Sequence, residues 1–136
     1  MADLVVTPAN VKGGAGSNSL LGNSGATINA GDLVAKNSGG DVVLCDANGA
    51  SPIDTPVGVA LNSCPGVGQP IRYAPIAPAL EGFTTTQGVV YVASANAGKI
   101  AAVTDLASGW TVSILGVGKA ANKLDFYLFA SGVSVP

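Results

Sequence analysis

Eight carboxylates, two thiols, six cationic side chains and no histidine are the groups with which this chain could do chemistry. The carboxylates are Asp3, Asp32, Asp41, Asp46, Asp54, Glu81, Asp105 and Asp125. A pair of them could serve as acid and base in glycoside hydrolysis. Five of the eight, Asp3, Asp32, Asp41, Asp46 and Glu81, however, stand beside Gly or Ala, and at an expected strand end an aspartate closes turns through its own side chain. The lack of histidine removes the commonest general base and metal ligand together. Triads of the Ser-His-Asp or Cys-His type cannot be assembled. No spacing marks out a Ser-Lys dyad either.

The thiols, Cys45 and Cys64, are isolated from one another in sequence. A structural zinc site needs four ligands, normally Cys and His, and only two are available. A reducing cytoplasm disfavours a disulfide, and Cys45, in the apolar run Val42–Cys45, reads as a small buried hydrophobe. The Gly-rich stretches do not carry a phosphate-binding pattern. The Walker pattern requires Gly-Lys followed by Ser or Thr, whereas Gly98-Lys99 precedes Ile100 and Gly118-Lys119 precedes Ala120. No GxGxxG fingerprint occurs. These readings predict no enzyme, no cofactor and no metal site.

The cations are scattered, with Lys119 and Lys123 the nearest approach to a pair, so the basic footprint that nucleic acid requires is missing. Charged residues make up only 10% of the 136, against 48% hydrophobic, with 19 glycines. That balance argues against disorder. It also leaves too little charge to cover a monomer's surface, which usually carries about 25–35% charged residues. A surface of Ala, Val, Gly, Ser and Thr therefore predicts cover by partners, either in an oligomer or on a larger assembly. No membrane span is expected, because the longest uncharged runs, such as residues 55–71, are broken by Pro and Gly. The start, MADLVVTPAN, lacks a basic and an apolar leader region, which predicts no secretory signal and folding in a cytoplasm.

The elements that would position these groups are strands. Residues 1–27 divide into an apolar Leu4-Val5-Val6-Thr7, a candidate short strand closed by Pro8, and a tract rich in Gly, Ser and Asn whose composition resists regular structure. We read residues 1–27 as an irregular N-terminal arm with Leu20 and Leu21 as anchors, and residues 28–136 as a single β domain. Leu4, Val5, Val6, Leu20 and Leu21 are the candidate contacts to a partner assembly or a neighbouring subunit. Predicted strands run over Asp32–Lys36, Asp41–Asp46, Val57–Asn62, Ile71–Ala74, Val89–Ser94, Lys99–Val103, Trp110–Leu115 and Lys123–Phe129. Turns at Asn37–Gly40, Asp46–Gly49, Ala95–Gly98 and Lys119–Asn122 separate several of them. Asp41–Asp46, apolar on both faces, is expected in mid-sheet. Residues 75–87 read as a crossover, and a short helix is expected near Thr104–Ser108. Trp110, Phe126, Tyr127 and Phe129 are expected to anchor the core. The fold class is all-β: a compact barrel or sandwich of about nine short strands.

A shifted copy of the pattern of residues 30–74 recurs between residues 88 and 130. Gly31 matches Gly88, Gly40 matches Gly98, Gly58 matches Gly116, and Arg72-Tyr73-Ala74 matches Leu128-Phe129-Ala130. The offsets of 56 to 58 residues suggest two pseudo-repeated halves.

The order Ala30-Gly31-Asp32-Leu33-Val34, Gly40-Asp41-Val42-Val43-Leu44, Val57-Gly58-Val59-Ala60-Leu61 and Gly68-Gln69-Pro70-Ile71-Arg72 resembles small capsid decoration proteins of tailed bacteriophages, also called cement or head-stabilising proteins. Gly88-Val89-Val90-Tyr91-Val92, Gly98-Lys99-Ile100 and Ile114-Leu115-Gly116 fit the same pattern, so the likeness covers residues 28–130. The arm at residues 9–27 departs from it. The resemblance implies a structural virion protein on the capsid exterior, assembled in the host cytoplasm. Its partners would be the major capsid protein and further copies of itself in a homodimer or homotrimer. A tail-tube or fibre module, and a carbohydrate-binding β-sandwich, are the alternatives.

Overall fold

Asn37 shows how the local sequence sets the first hairpin. Its Oδ1 accepts hydrogen bonds from the backbone N–H of Gly39 and of Asp41, both at 3.0 Å. Gly40 then takes a φ of +86°, which a β-carbon would resist. The computed structural model describes residues 3–136. Its strands are β1 (Asn18–Asn23), β2 (Leu33–Lys36), β3 (Val42–Leu44), β4 (Pro56–Ala60), β5 (Pro70–Glu81), β6 (Val90–Ala93), β7 (Ile100–Ala102), β8 (Thr111–Ala120) and β9 (Lys123–Ser134). The protein is all-β: nine strands in one curled antiparallel sheet that forms a half-barrel. The ladder runs β3-β2-β4-β5-β9-β8-β6-β7, with β1 attached to β5.

That order reads the same from both ends once β2, β3, β4 and β5 are matched to β6, β7, β8 and β9. The register agrees in detail. Val34 faces Leu44 on one side and Gly58 on the other; Tyr91 faces Ala102 and Gly116. The β2–β4 ladder slips between Val34 and Ala35, and the β6–β8 ladder slips between Tyr91 and Val92. The two halves therefore share one strand plan. The last sequence landmark does not hold. Ala74 faces Val59, whereas Val117 faces Asp125, so Ala74 corresponds to Asp125 rather than to Ala130. The cause is the connection: residues 61–69 join β4 to β5, while only residues 121–122 join β8 to β9.

β5 is the spine of the molecule, and both its edges are occupied. Tyr73 pairs with Ala60 and with Leu20, Ile76 with Tyr127 and with Asn18, and Glu81 with Lys123 and with Lys12. One edge thus carries β4 and then β9. The other carries Asn18–Asn23 from Pro70 to Ile76 and a single bridge from Lys12 to Glu81. The expectation of an irregular arm is corrected here for Asn18–Asn23, which form a strand because β5 supplies the ladder that their composition alone would not sustain. Leu4–Thr7 forms no strand; Val6 makes a single bridge to Phe83. The expected crossover is also corrected, since residues 75–81 complete β5. Pro75 and Pro78, which lack the N–H a ladder uses, fall where the β1–β5 and β5–β9 registers shift. The expected helix is a 3-10 turn at Val103–Asp105.

Two apolar clusters lie on opposite sides of the first half's strands. Leu33 and Ala35 join Leu80, Phe83, Leu115, Leu124 and Phe126 in the larger, while Val34 joins Ile28, Val42, Cys64, Ile71 and Tyr73 in the smaller. Burying each large aliphatic or aromatic side chain stabilises the fold by about 1.5–3 kcal/mol. β3 stands at the end of the ladder, not in mid-sheet. It is covered because Ser24 bridges Val42 and the Gly25 N–H donates to the Val42 carbonyl at 2.7 Å. That bridge closes a ring of β1, β5, β4, β2 and β3 around the smaller cluster.

Candidate contact surface

Four of the acidic side chains, Asp3, Asp32, Asp46 and Asp54, are engaged in holding the fold. Asp32 accepts from the Asn29 N–H at 2.9 Å and lies 3.9 Å from the Lys99 ammonium. Asp46 accepts from the Asn48 N–H within the turn expected there. Asp3 accepts from Ser94 Oγ at 2.7 Å and Asn96 Nδ2 at 2.8 Å, tying the chain's start to the β6–β7 turn. Asp54 accepts from Thr111 Oγ1 at 2.7 Å, linking the loop before β4 to β8. Burial pushes the Asp32 carboxyl above its ordinary value, against the lowering effects of the Asn29 N–H and Lys99. Among the described residues, no group of three or more His, Cys, Asp or Glu side chains could hold a metal ion.

Both cysteines are buried and free. Burial, with the Asp46 and Asp54 carboxylates nearby, pushes the Cys45 thiol up to about 12. Cys64 donates its thiol to the Pro70 carbonyl at 3.1 Å. The described residues include two open cavities of note. One of about 280 Å³ is lined by polar groups including Asn10, Lys12, Glu81 and Asn122. The other, about 250 Å³, lies between Leu4, Val5, Val89 and Tyr91.

The five candidate contact residues divide. Leu4 and Val6 pack against the protein's own larger cluster, and the Leu4 N–H donates to the Ile100 carbonyl at 2.8 Å. Val5 points outward. Leu20 and Leu21 lie on β1, 45% and 62% exposed. Among the described residues β1 has a ladder partner on its β5 side only, and the single Ser24 bridge lies beyond its end. Residues 13–31, which contain β1, carry no charge.

A second exposed apolar surface was missed in sequence. Phe126 is fully buried and Trp110 packs on the larger cluster, as expected, but Tyr127 and Phe129 are 63% and 62% exposed. Both lie on the face of β9 opposite the buried Leu124 and Phe126. β9 pairs with β5 from Lys123 to Tyr127 and then outruns it, because beyond Ile76 the same edge of β5 belongs to β4. From Leu128 to Ser134, β9 has β8 on one side and, among the described residues, no strand on the other. Phe129 stands opposite Ile114, both exposed, and the exposed Val133 stands opposite the half-buried Val112, which places apolar side chains in neighbouring cross-strand pairs. Residues 126–136 carry no charged side chain, a signal that was present in the sequence. No family model, curated protein or solved structure matches the chain.

Proposed function

We propose that this chain is a structural virion protein that binds the outer surface of an assembled bacteriophage capsid and stabilises it, a decoration or cement protein. The observation that carries this reading is the exposed, charge-free edge of β1. Soluble proteins usually protect such an edge with Lys, Pro or a bulge. Here Leu20 and Leu21 occupy it beside an open ladder, an arrangement suited to accepting a strand from a partner. The major capsid protein would supply that strand. Each contact would be modest, and the symmetry of the shell would multiply it into avidity. Such a protein needs no catalytic group, cofactor, nucleic-acid footprint or membrane anchor, and its place is the capsid exterior. The likeness of residues 28–130 to decoration proteins supports the choice of partner.

The test is co-sedimentation with expanded empty capsids. The wild-type chain should pellet with a shell it recognises, and Leu21→Asp, a change at a solvent-facing position, should reduce binding at least tenfold. Failure of the wild-type chain to pellet with any of several shells overturns the reading. Undiminished binding by Leu21→Asp overturns the role given to β1.

A further inference from the structure

The distal half of β9 is a second unprotected edge, and it differs from β1 in one respect that decides its occupant. Its apolar side chains lie on both strands of a ladder, Ile114 with Phe129 and Val112 with Val133, so it offers a face as well as an edge. Seven residues, Leu128–Ser134, have an open ladder side. Their outward groups are Phe129 and Val133 at 62% and 63% exposure, and Tyr127 adjoins them at 63%. We propose that this edge pairs with the same edge of a second copy, antiparallel about a two-fold axis.

Three features favour a second copy. The chain carries a net charge of −2, and residues 126–136 have no charged side chain, so two copies can meet there without like-charge repulsion between side chains. Antiparallel pairing of identical segments is self-complementary, so one contact closes the open β9 ladder of both chains at once. The aromatic pair Tyr127 and Phe129 supplies the type of rigid, large side chain that anchors interfaces. The sheet would then run unbroken through both molecules, from β8 across the two copies of β9.

The inference does not rest on shell binding and is tested without a capsid. Light scattering on the purified full chain, across the micromolar range, should give about twice the 13.2 kDa chain mass. Phe129→Asp and Val133→Glu should each return one chain mass with unchanged circular dichroism, because both positions face solvent. Val67→Asp, at the 73% exposed Val67 outside β9, and Leu21→Asp should leave the dimer intact. Raising the salt concentration should not dissociate the dimer, since no ion pair holds it. A wild-type chain that stays monomeric overturns the proposal. So does a dimer that survives both β9 substitutions, or a trimer or larger ring, which would require unlike edges to meet.

Discussion

Gly116 on β8 lies so close to the Asp125 carbonyl of β9 that the two backbones leave no room for a methyl group between them. The matching relationship in the first half joins Gly58 on β4 to the Ala74 carbonyl of β5, where an added β-carbon would approach to 2.7 Å. Each glycine faces the strand that opens its half, Val34 for Gly58 and Tyr91 for Gly116. The two halves thus share a strand order, a register slip and the same close backbone approach. Gly116 adds a φ of +138°.

Gly116→Ala should therefore destabilise the protein by about 3 kcal/mol or more, through overpacking together with backbone strain. Gly40→Ala is the control. Its φ of +86° is also left-handed, but nothing lies within 4 Å of the added carbon, so about 1–2 kcal/mol is expected. Urea unfolding of both variants checks the difference. Equal losses would mean that the β8–β9 approach relaxes without cost.

Removing residues 1–23 should do more than shorten the chain. Asn18–Asn23 cover one edge of β5 from Pro70 to Ile76, and Gly22 sits against Val42 and Tyr73 of the smaller cluster. The truncated protein should bind a hydrophobic dye and unfold over a broader urea range. A sharp transition at the wild-type midpoint would show that the domain holds its second cluster without β1.

Asp32 carries a stability signal whose sign follows from its burial. The folded protein holds the Asp32 proton more tightly than the unfolded chain does, since the carboxyl is raised above 3.8. Its contribution is then most favourable below that value and is lost as pH rises through the folded-state value. Asp32→Asn keeps an acceptor for the Asn29 N–H and does not titrate. Relative to Asp32→Asn, the wild-type protein should lose stability as pH increases from the acid side, and the difference should level off once Asp32 is ionised. Unfolding free energies measured on both across that range check this; a gap that moves the other way would mean that Lys99 and Asn29 outweigh desolvation.

The thiols should be silent in the native state. Cys45 is buried in the larger cluster with its thiol pushed up to about 12, and Cys64 is buried in the smaller. Only a thiolate attacks a disulfide reagent. Titration with such a reagent should count no reactive thiol in native protein and two after denaturation. Because the pair belong to different clusters, oxidation of the folded chain should form no bridge between them.

The sequence alone determined the class of fold. Short apolar runs separated by Gly, Asn, Asp and Pro state where strands stop, and Asn37–Gly40 and Asp46–Gly49 appear as the turns those residues favour. The Gly spacing exposed the two halves, because a positive φ or a close backbone approach admits only glycine and so preserves its place. What lay outside local reading was decided by ladders between distant residues. Asn18–Asn23 became a strand only because β5 offers an edge, and residues 75–81 continued β5 because both prolines fall at register shifts. The exposure of Tyr127 and Phe129 was likewise tertiary. Their alternation with Phe126 and Leu128 is ordinary for a strand; which of its faces the core covers, and that the hand-over of β5 from β9 to β4 leaves the edge open from Leu128 onward, were decided by tertiary pairing. Residue type and spacing specify which groups can be buried; which edges remain open depends on where each strand runs out of neighbours.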